Sequence, residues 1–317
     1  AVVPRNTGNG TLVRANSWLI LSLLVLLTGC VSVQPRNPLP ADQVEAAVIA
    51  EIPQARFWGD DVSPFLEEEM NTLTREEIRD GFTALYGQQH NYLAISGGGA
   101  DGAFGAGLLA GWTEAGTRPE FSMVTGVSTG ALSAPFAVLA PDYDDELKAV
   151  YTTTSTAQIA RKRNLIAAAF ADSMVDTAPL QEMIKSYIDT DVIEAIAREH
   201  VRGRRLYIGT VNLDASRSVI WSIGAIAASD YPRKEELIHE VLQASASIPV
   251  AFPPVVIPVE ADGRAFDQVE LAEGETLIEE GAVPLAMHVV VSGALRAMSA
   301  SEPDYRPRAG PSTDRAL

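Results

Sequence analysis

Gly126-Val127-Ser128-Thr129-Gly130 sets a serine between two glycines at the spacing G-x-S-x-G. A serine hydroxyl is a weak nucleophile at neutral pH unless a base stands beside it. The spacing supplies the geometric half of that requirement. Residues 121–126, FSMVTG, read as a strand and the small residues from 128 onward as a helix, so Ser128 occupies a sharp strand-to-helix turn. Its oxygen then lies at a helix N-terminus, where unpaired N–H groups and the helix dipole favour a developing anion. Gly126 and Gly130 allow the two backbones to close around that turn.

A second glycine cluster, Gly97-Gly98-Gly99-Ala100-Asp101-Gly102, follows the short apolar run NYLAIS at 91–96. Its G-x-G-x-x-G spacing admits a dinucleotide cradle, which calls for an acidic residue about 20 positions on at the end of a second strand. Glu120 lies near that distance but precedes the strand FSMVTG. The other use of Gly97, Gly98, Gly99 and Gly102 is an oxyanion loop, with backbone N–H groups aimed at a tetrahedral intermediate. Both clusters follow consecutive strands, so they can converge on one point. A side chain at Gly98 or Gly99 is expected to obstruct those donors. His90, His200, His239 and His288 are the four histidines. A Ser-Asp-His triad would need His200, His239 or His288 on a loop beside Ser128, and His200 and His239 fall in amphipathic helical stretches.

These groups must be positioned by an α/β fold. Strand, glycine turn, helix, strand, sharp turn, helix is the pattern of a βαβα unit, and it predicts a mostly parallel central sheet flanked by helices. Helical spacing recurs at 41–52, 74–86, 143–152, 156–170, 179–187 and 191–200. Residues 204–214 and 217–224 read as neighbouring strands, and 234–249 as a helix stopped before Pro249.

LAISGGGADGAFGAGLLAGW, VTGVSTGALSAPFA and VLQASASIPVAFPPV together resemble the three conserved blocks of patatin-like phospholipases, over about residues 91–267. That resemblance implies a serine lipid acyl hydrolase with a Ser-Asp dyad, no catalytic histidine, and no metal or organic cofactor. Ser128 becomes the nucleophile and residues 97–102 the oxyanion loop. The family's aspartate belongs to an Asp-Gly-Gly or Asp-Gly-Ala motif after the third block, and this chain has no such motif there. Its candidate bases are Asp262, in a turn between two strands, Asp267, with no glycine after it, and Glu280, in Glu280-Gly281-Ala282. The longer glutamate displaces the carboxylate by about one methylene, and a misplacement near 1 Å can cost ~100-fold in rate. A lipid or acyl-ester substrate is expected. The rival expectation is a pseudoenzyme that keeps the elbow and binds lipid or a partner.

Arg14 followed by SWLILSLLVLLTGC has the basic flank, apolar run and small residues of a secretory signal. The run is shorter than the roughly 20 residues that span a bilayer. LTGC resembles a bacterial lipobox and Cys30 is the sole cysteine, so the expectation is a lipid-anchored protein of the cell envelope, on the outer membrane facing the periplasm. The expected organisation is signal peptide 1–30, tether 31–48, hydrolase domain 49–267, a β-rich tail 268–298 and a disordered end 299–317. In the tail, Gly274-Glu275, Glu280-Gly281 and Ser292-Gly293 resemble the opening strands of a cyclic-nucleotide-binding β-roll, without its phosphate-binding segment, and suggest a junction near residue 267. With 24 basic and 41 acidic residues the chain carries a formal charge of −17, which argues against nucleic acid as a partner.

Overall fold

The computed structural model describes residues 36–61, 63–152, 161–162, 175–248, 252–272 and 288–290. Cys30, Glu280 and most of both the helical pattern at 156–170 and the 268–298 tail lie outside them; the described part of that pattern, Arg161–Lys162, is a strand. The chain divides into two units, residues 1–37 and 38–317, and every strand and helix described belongs to the second.

The strands are β1 (Arg56–Trp58), β2 (Tyr92–Ile95), β3 (Met123–Val127), β4 (Arg161–Lys162), β5 (Val175–Asp176), β6 (Arg205–Asn212), β7 (Arg217–Ser222), β8 (Val255–Ala261), β9 (Arg264–Leu271) and β10 (His288–Val290). The helices are α1 (Pro64–Thr72), α2 (Arg75–Gly81), α3 (Gly102–Glu114), α4 (Thr129–Leu139), α5 (Asp144–Thr152), α6 (Ala178–Tyr187), α7 (Thr190–Val201), α8 (Ile223–Ala228) and α9 (Lys234–Ala246). The expected helix at 41–52 is only a 3-10 turn, Ala41–Ala46. The one expected at 74–86 ends at Gly81, although its start is fixed by a reciprocal cap between Thr74 and Glu77.

One eight-stranded sheet runs β1-β7-β6-β3-β2-β10, with β9 on β6 and β8 on β9. The expectation of a mostly parallel sheet is corrected here: only β2–β3 and β3–β6 pair in parallel, and every other pairing in it is antiparallel. The cause lies in the connections. Helical crossovers join the three parallel strands, whereas β6–β7 and β8–β9 are joined by short turns, which yield antiparallel pairs. The β8–β9 turn is Asp262-Gly263, at φ 50° and 70°, the two left-handed positions of a type I′ hairpin.

The core sits where the parallel strands meet α4. All residues of β6 are buried, and so are all those of α4 after Thr129. A helix apolar all round belongs in an interior. Residues on either side of the expected domain limits pack in the same unit: Leu39 and Ala47 are buried, Pro38 bridges Asp267 and Val48 bridges Glu260. β9 runs through residue 267 without a break, and Gln268, Val269, Glu270 and Leu271 are buried.

The register of β6 sets the site. β7 covers one edge of β6 from Tyr207 to Asn212, so β3 and β9 must share the other. β3 takes it as far as Val127↔Gly209, and β9 takes it from the opposite direction at Val211↔Leu271 and Asn212↔Glu270. β9 thus arrives head-on in the lane that β3 vacates at the elbow. Two residues of β6, about 7 Å, separate the last pair of β3 from the nearest pair of β9.

Candidate active site

Ser128 is half-buried at φ 56° and ψ −125°, a region that non-glycine residues seldom occupy. Holding such a conformation costs about 1–3 kcal/mol and needs surroundings that enforce it. They are present. A β-carbon on Gly126 would lie 2.5 Å from the carbonyl oxygen of Gly130, and one on Gly130 would strike the carbonyl of Ile95. The backbones therefore close as G-x-S-x-G allows, on the neighbouring strand as well as within the turn. The N–H of Ser128 donates to Ser245 Oγ (3.0 Å), and Ser245 Oγ donates to the carbonyl of Gly209 (2.7 Å). Ser245 is fully buried at the end of α9, so it pins the elbow to β6. The Thr129 carbonyl accepts from the Tyr151 hydroxyl of α5 at 2.7 Å.

The glycine loop reaches the same point. A β-carbon on Gly97 would lie 2.8 Å from Cβ of Ser128, and one on Gly102 would lie 2.8 Å from both Cβ and Oγ1 of Thr129. The loop lies directly against Ser128 and Thr129. A β-carbon on Gly99 meets open space, and its constraint is φ 55°; one on Gly98 makes only an ordinary contact at 3.5 Å. Crowding acts at Gly97 and Gly102 instead. The N–H groups of Gly98, Gly99 and Thr129 take no partner among the described residues. An oxyanion hole of this class uses the N–H after the nucleophile together with N–H groups from a neighbouring loop.

No hydrogen bond to the Ser128 hydroxyl forms among the described residues. His200 precedes β6, and five residues of strand, about 16 Å, separate Arg205 from the level of the serine. It is half-buried, and burial with the charge of Arg205 lowers it to about 4. His239 Nε2 contacts the Ile188 carbonyl at 2.7 Å, and His90 Nδ1 lies 3.3 Å from Ser122 Oγ ahead of β3. His288 pairs by its backbone with Ala94 in β2. No described histidine side chain stands at the elbow.

The candidate carboxylates are placed by the lane geometry. Asp267 precedes Leu271 by four residues, about 13 Å of strand, and Asp262 lies at the far hairpin tip. The residue that β9 brings to the gap is Ala272. It is buried, and its N–H donates to the Ser247 carbonyl at 3.0 Å, two residues beyond Ser245. The sequence reading did not single out Ala272, Ser245 or Glu270.

Glu270 is fully buried on β9, accepting from Thr210 Oγ1 (2.6 Å), Gln268 Nε2 (2.7 Å) and Asn212 Nδ2 (3.3 Å). Arg56 Nη1 donates to Gln268 Oε1 at 2.7 Å. Burial raises the Glu270 carboxyl to about 7, against the lowering effect of Thr210 and the nearby Arg56 charge. Its bonds to Thr210 and Asn212 hold β9 on β6.

A search of the curated proteins finds no match to this chain. A family model described as patatin-like phospholipase matches residues 93–276, which contain the glycine loop, the elbow, Ser245 and the whole β8–β9 hairpin. That match covers more than half of the 317 residues, and the chain belongs to the patatin-like phospholipase family.

Proposed function

We propose that this protein is a serine hydrolase of lipid acyl esters with Ser128 as nucleophile. The observation that carries the reading is the strained Ser128 backbone at a helix start, packed against a glycine loop whose Gly98 and Gly99 N–H groups take no partner among the described residues. In the reaction, Ser128 Oγ attacks the ester carbonyl as its proton passes to a base. The oxyanion is held by N–H groups of Thr129 and the 97–102 loop. Collapse expels the alcohol, which takes the proton back, and water then releases the acyl group by the same steps in reverse roles.

The base belongs, on this reading, to a Ser-Asp dyad whose acid comes from the β9 end of the domain. Of the candidates from the motif comparison, Asp267 stands about 13 Å of strand short of the gap, and Glu280 lies outside the described residues. Glu273, next in the chain after Ala272, is the acidic residue closest in sequence to the gap. Ala272 itself favours a second reading, a pseudoenzyme that binds lipid without efficient turnover. A lipid anchor on Cys30 would hold the protein at the cell envelope and raise its local concentration at a lipid surface; Cys30→Ala should then release it from the membrane fraction.

A fluorophosphonate probe separates the two readings of the site. The hydrolase should label at Ser128 and hydrolyse p-nitrophenyl esters, and Ser128→Ala should do neither. Absence of labelling in the intact, folded chain would refute the hydrolase.

A further inference from the structure

The helix that begins at the glycine loop presents an apolar face left unpartnered among the described residues. On α3, Gly105, Ala106, Leu109 and Ala110 are buried, whereas Ala103, Phe104, Gly107, Leu108 and Gly111 are exposed. Phe104 is 73% exposed and Leu108, one turn on, 41%. From 102 to 113 the helix carries no charged side chain. Charge stands only at its ends, as exposed Asp101 and as Glu114, which Lys148 Nζ meets at 3.0 Å. A soluble surface rarely leaves large apolar side chains together without a partner for them.

We propose that this face of α3 docks on an electroneutral lipid bilayer. The inference rests on the hydrolase reading and names where that enzyme meets its substrate phase. Two observations select the occupant. The face adjoins the candidate site through the glycine loop: residues 97–101 are exposed and lead directly into exposed Ala103 and Phe104, and Gly97 in that loop lies against Ser128. Seating Phe104 and Leu108 among acyl chains brings the mouth of Ser128 to the phase that holds an acyl ester. The second observation is charge. A chain with a formal charge of −17 repels both anionic lipid and a second copy of itself, so attachment here has to come from apolar burial.

The test uses the full chain with Cys30→Ser, which removes the sole thiol, and Ala103→Cys carrying a nitrobenzoxadiazole fluorophore. With phosphatidylcholine vesicles the emission should shift to the blue and be quenched by nitroxide-labelled lipid. Added phosphatidylglycerol should not strengthen the response. The same fluorophore on Glu194→Cys, exposed on α7, should stay unchanged. No response at residue 103, or an equal response at 194, overturns the proposal. A blue shift that grows with protein concentration without lipid overturns it too, in favour of a second copy. As a kinetic check, Phe104→Gln with Leu108→Gln should slow hydrolysis of a vesicle-borne ester by about 100-fold or more, the scale of losing the burial of two large apolar side chains. Hydrolysis of dissolved p-nitrophenyl acetate should be unaffected, and equal rates for variant and parent on vesicles would sink the docking role. A parent chain inactive on both substrates refutes the hydrolase reading and leaves the fluorescence to decide the docking.

Discussion

If the gap between β3 and β9 is where the proton acceptor belongs, Ala272→Asp should install one. Val127 pairs with Gly209 and Leu271 with Val211, so Ser128 and Ala272 enter the same gap of about 7 Å from opposite ends. A carboxylate there lies within the reach that general-base catalysis needs, roughly 3 Å directly or one water further. General-base help is worth ~100- to 10,000-fold, or about 3–5 kcal/mol of barrier at 1.36 kcal/mol per tenfold. The surroundings oppose ionisation: Glu270, two residues back, is raised to about 7 by burial. Only the ionised form accepts a proton, so the gain should rise with pH as the new carboxyl ionises. The assay is kcat/KM for p-nitrophenyl butyrate across the neutral range, with thermal melting to confirm folding and Ser128→Ala in the same background as the blank. A folded Ala272→Asp protein without any gain would refute the lane argument. Strong turnover in the parent chain that Glu273→Gln abolishes would instead assign the base to the next residue.

Two further outcomes follow from buried polar groups. Ser245→Ala removes the acceptor for the Ser128 N–H and the donor to the Gly209 carbonyl; at roughly 1–3 kcal/mol for each unsatisfied buried group, stability in urea should fall by about 2 kcal/mol or more, with a parallel loss of fluorophosphonate labelling rate. Glu270 keeps its proton in the native state to about 7 against 4.5 in the unfolded chain, so the stability it contributes is complete below the lower value and lost as pH rises through the higher one, by about 3 kcal/mol. Glu270→Gln should flatten that slope in denaturation curves taken at several pH values. Glu240, raised to about 7 by burial and by Glu236, leaves a residual slope of the same sign, and an unchanged slope in Glu270→Gln would show that the buried carboxyl does not titrate in this way.

The serine elbow and the glycine loop were legible because their signals are local. Gly126 and Gly130 are required by close backbone contacts, and Gly97 and Gly102 by the side chains of Ser128 and Thr129, all in two strand-to-helix turns that lie within forty residues of sequence. The strand directions were less so. β7 and β9 are set by turns, and a two-residue turn at Asp262-Gly263 decides an antiparallel pair whatever the apolar pattern of its strands. Gln268 and Glu270 alternate with Val269 and Leu271, which reads as a strand with one solvent face. Both faces are buried, because Arg56 from β1 and Thr210 and Asn212 from β6 supply polar partners from more than fifty residues away. Ala272 carries no chemical signal at all; its importance comes from the register of β9, which no local pattern encodes.

That register also explains how an elbow can persist where the expected acid motif does not. The strain at Ser128 is enforced by Gly130 against Ile95, by Ser245 against Gly209 and by the buried length of α4. None of these contacts involves β9. In the proposed dyad the proton acceptor would come from the other side, at the end of a strand held by Glu270 and its partners on β6. The elbow and the end of β9 are thus shaped by largely separate sets of interactions, which meet at β6 and where the Ala272 N–H donates to the Ser247 carbonyl. Replacing the acid at the strand end removes proton transfer but takes away no contact that shapes the turn. On the proposed reading an intact elbow supplies a site able to hold an acyl ester and its oxyanion, whereas the rate of turnover would be decided by what stands at, and just after, residue 272.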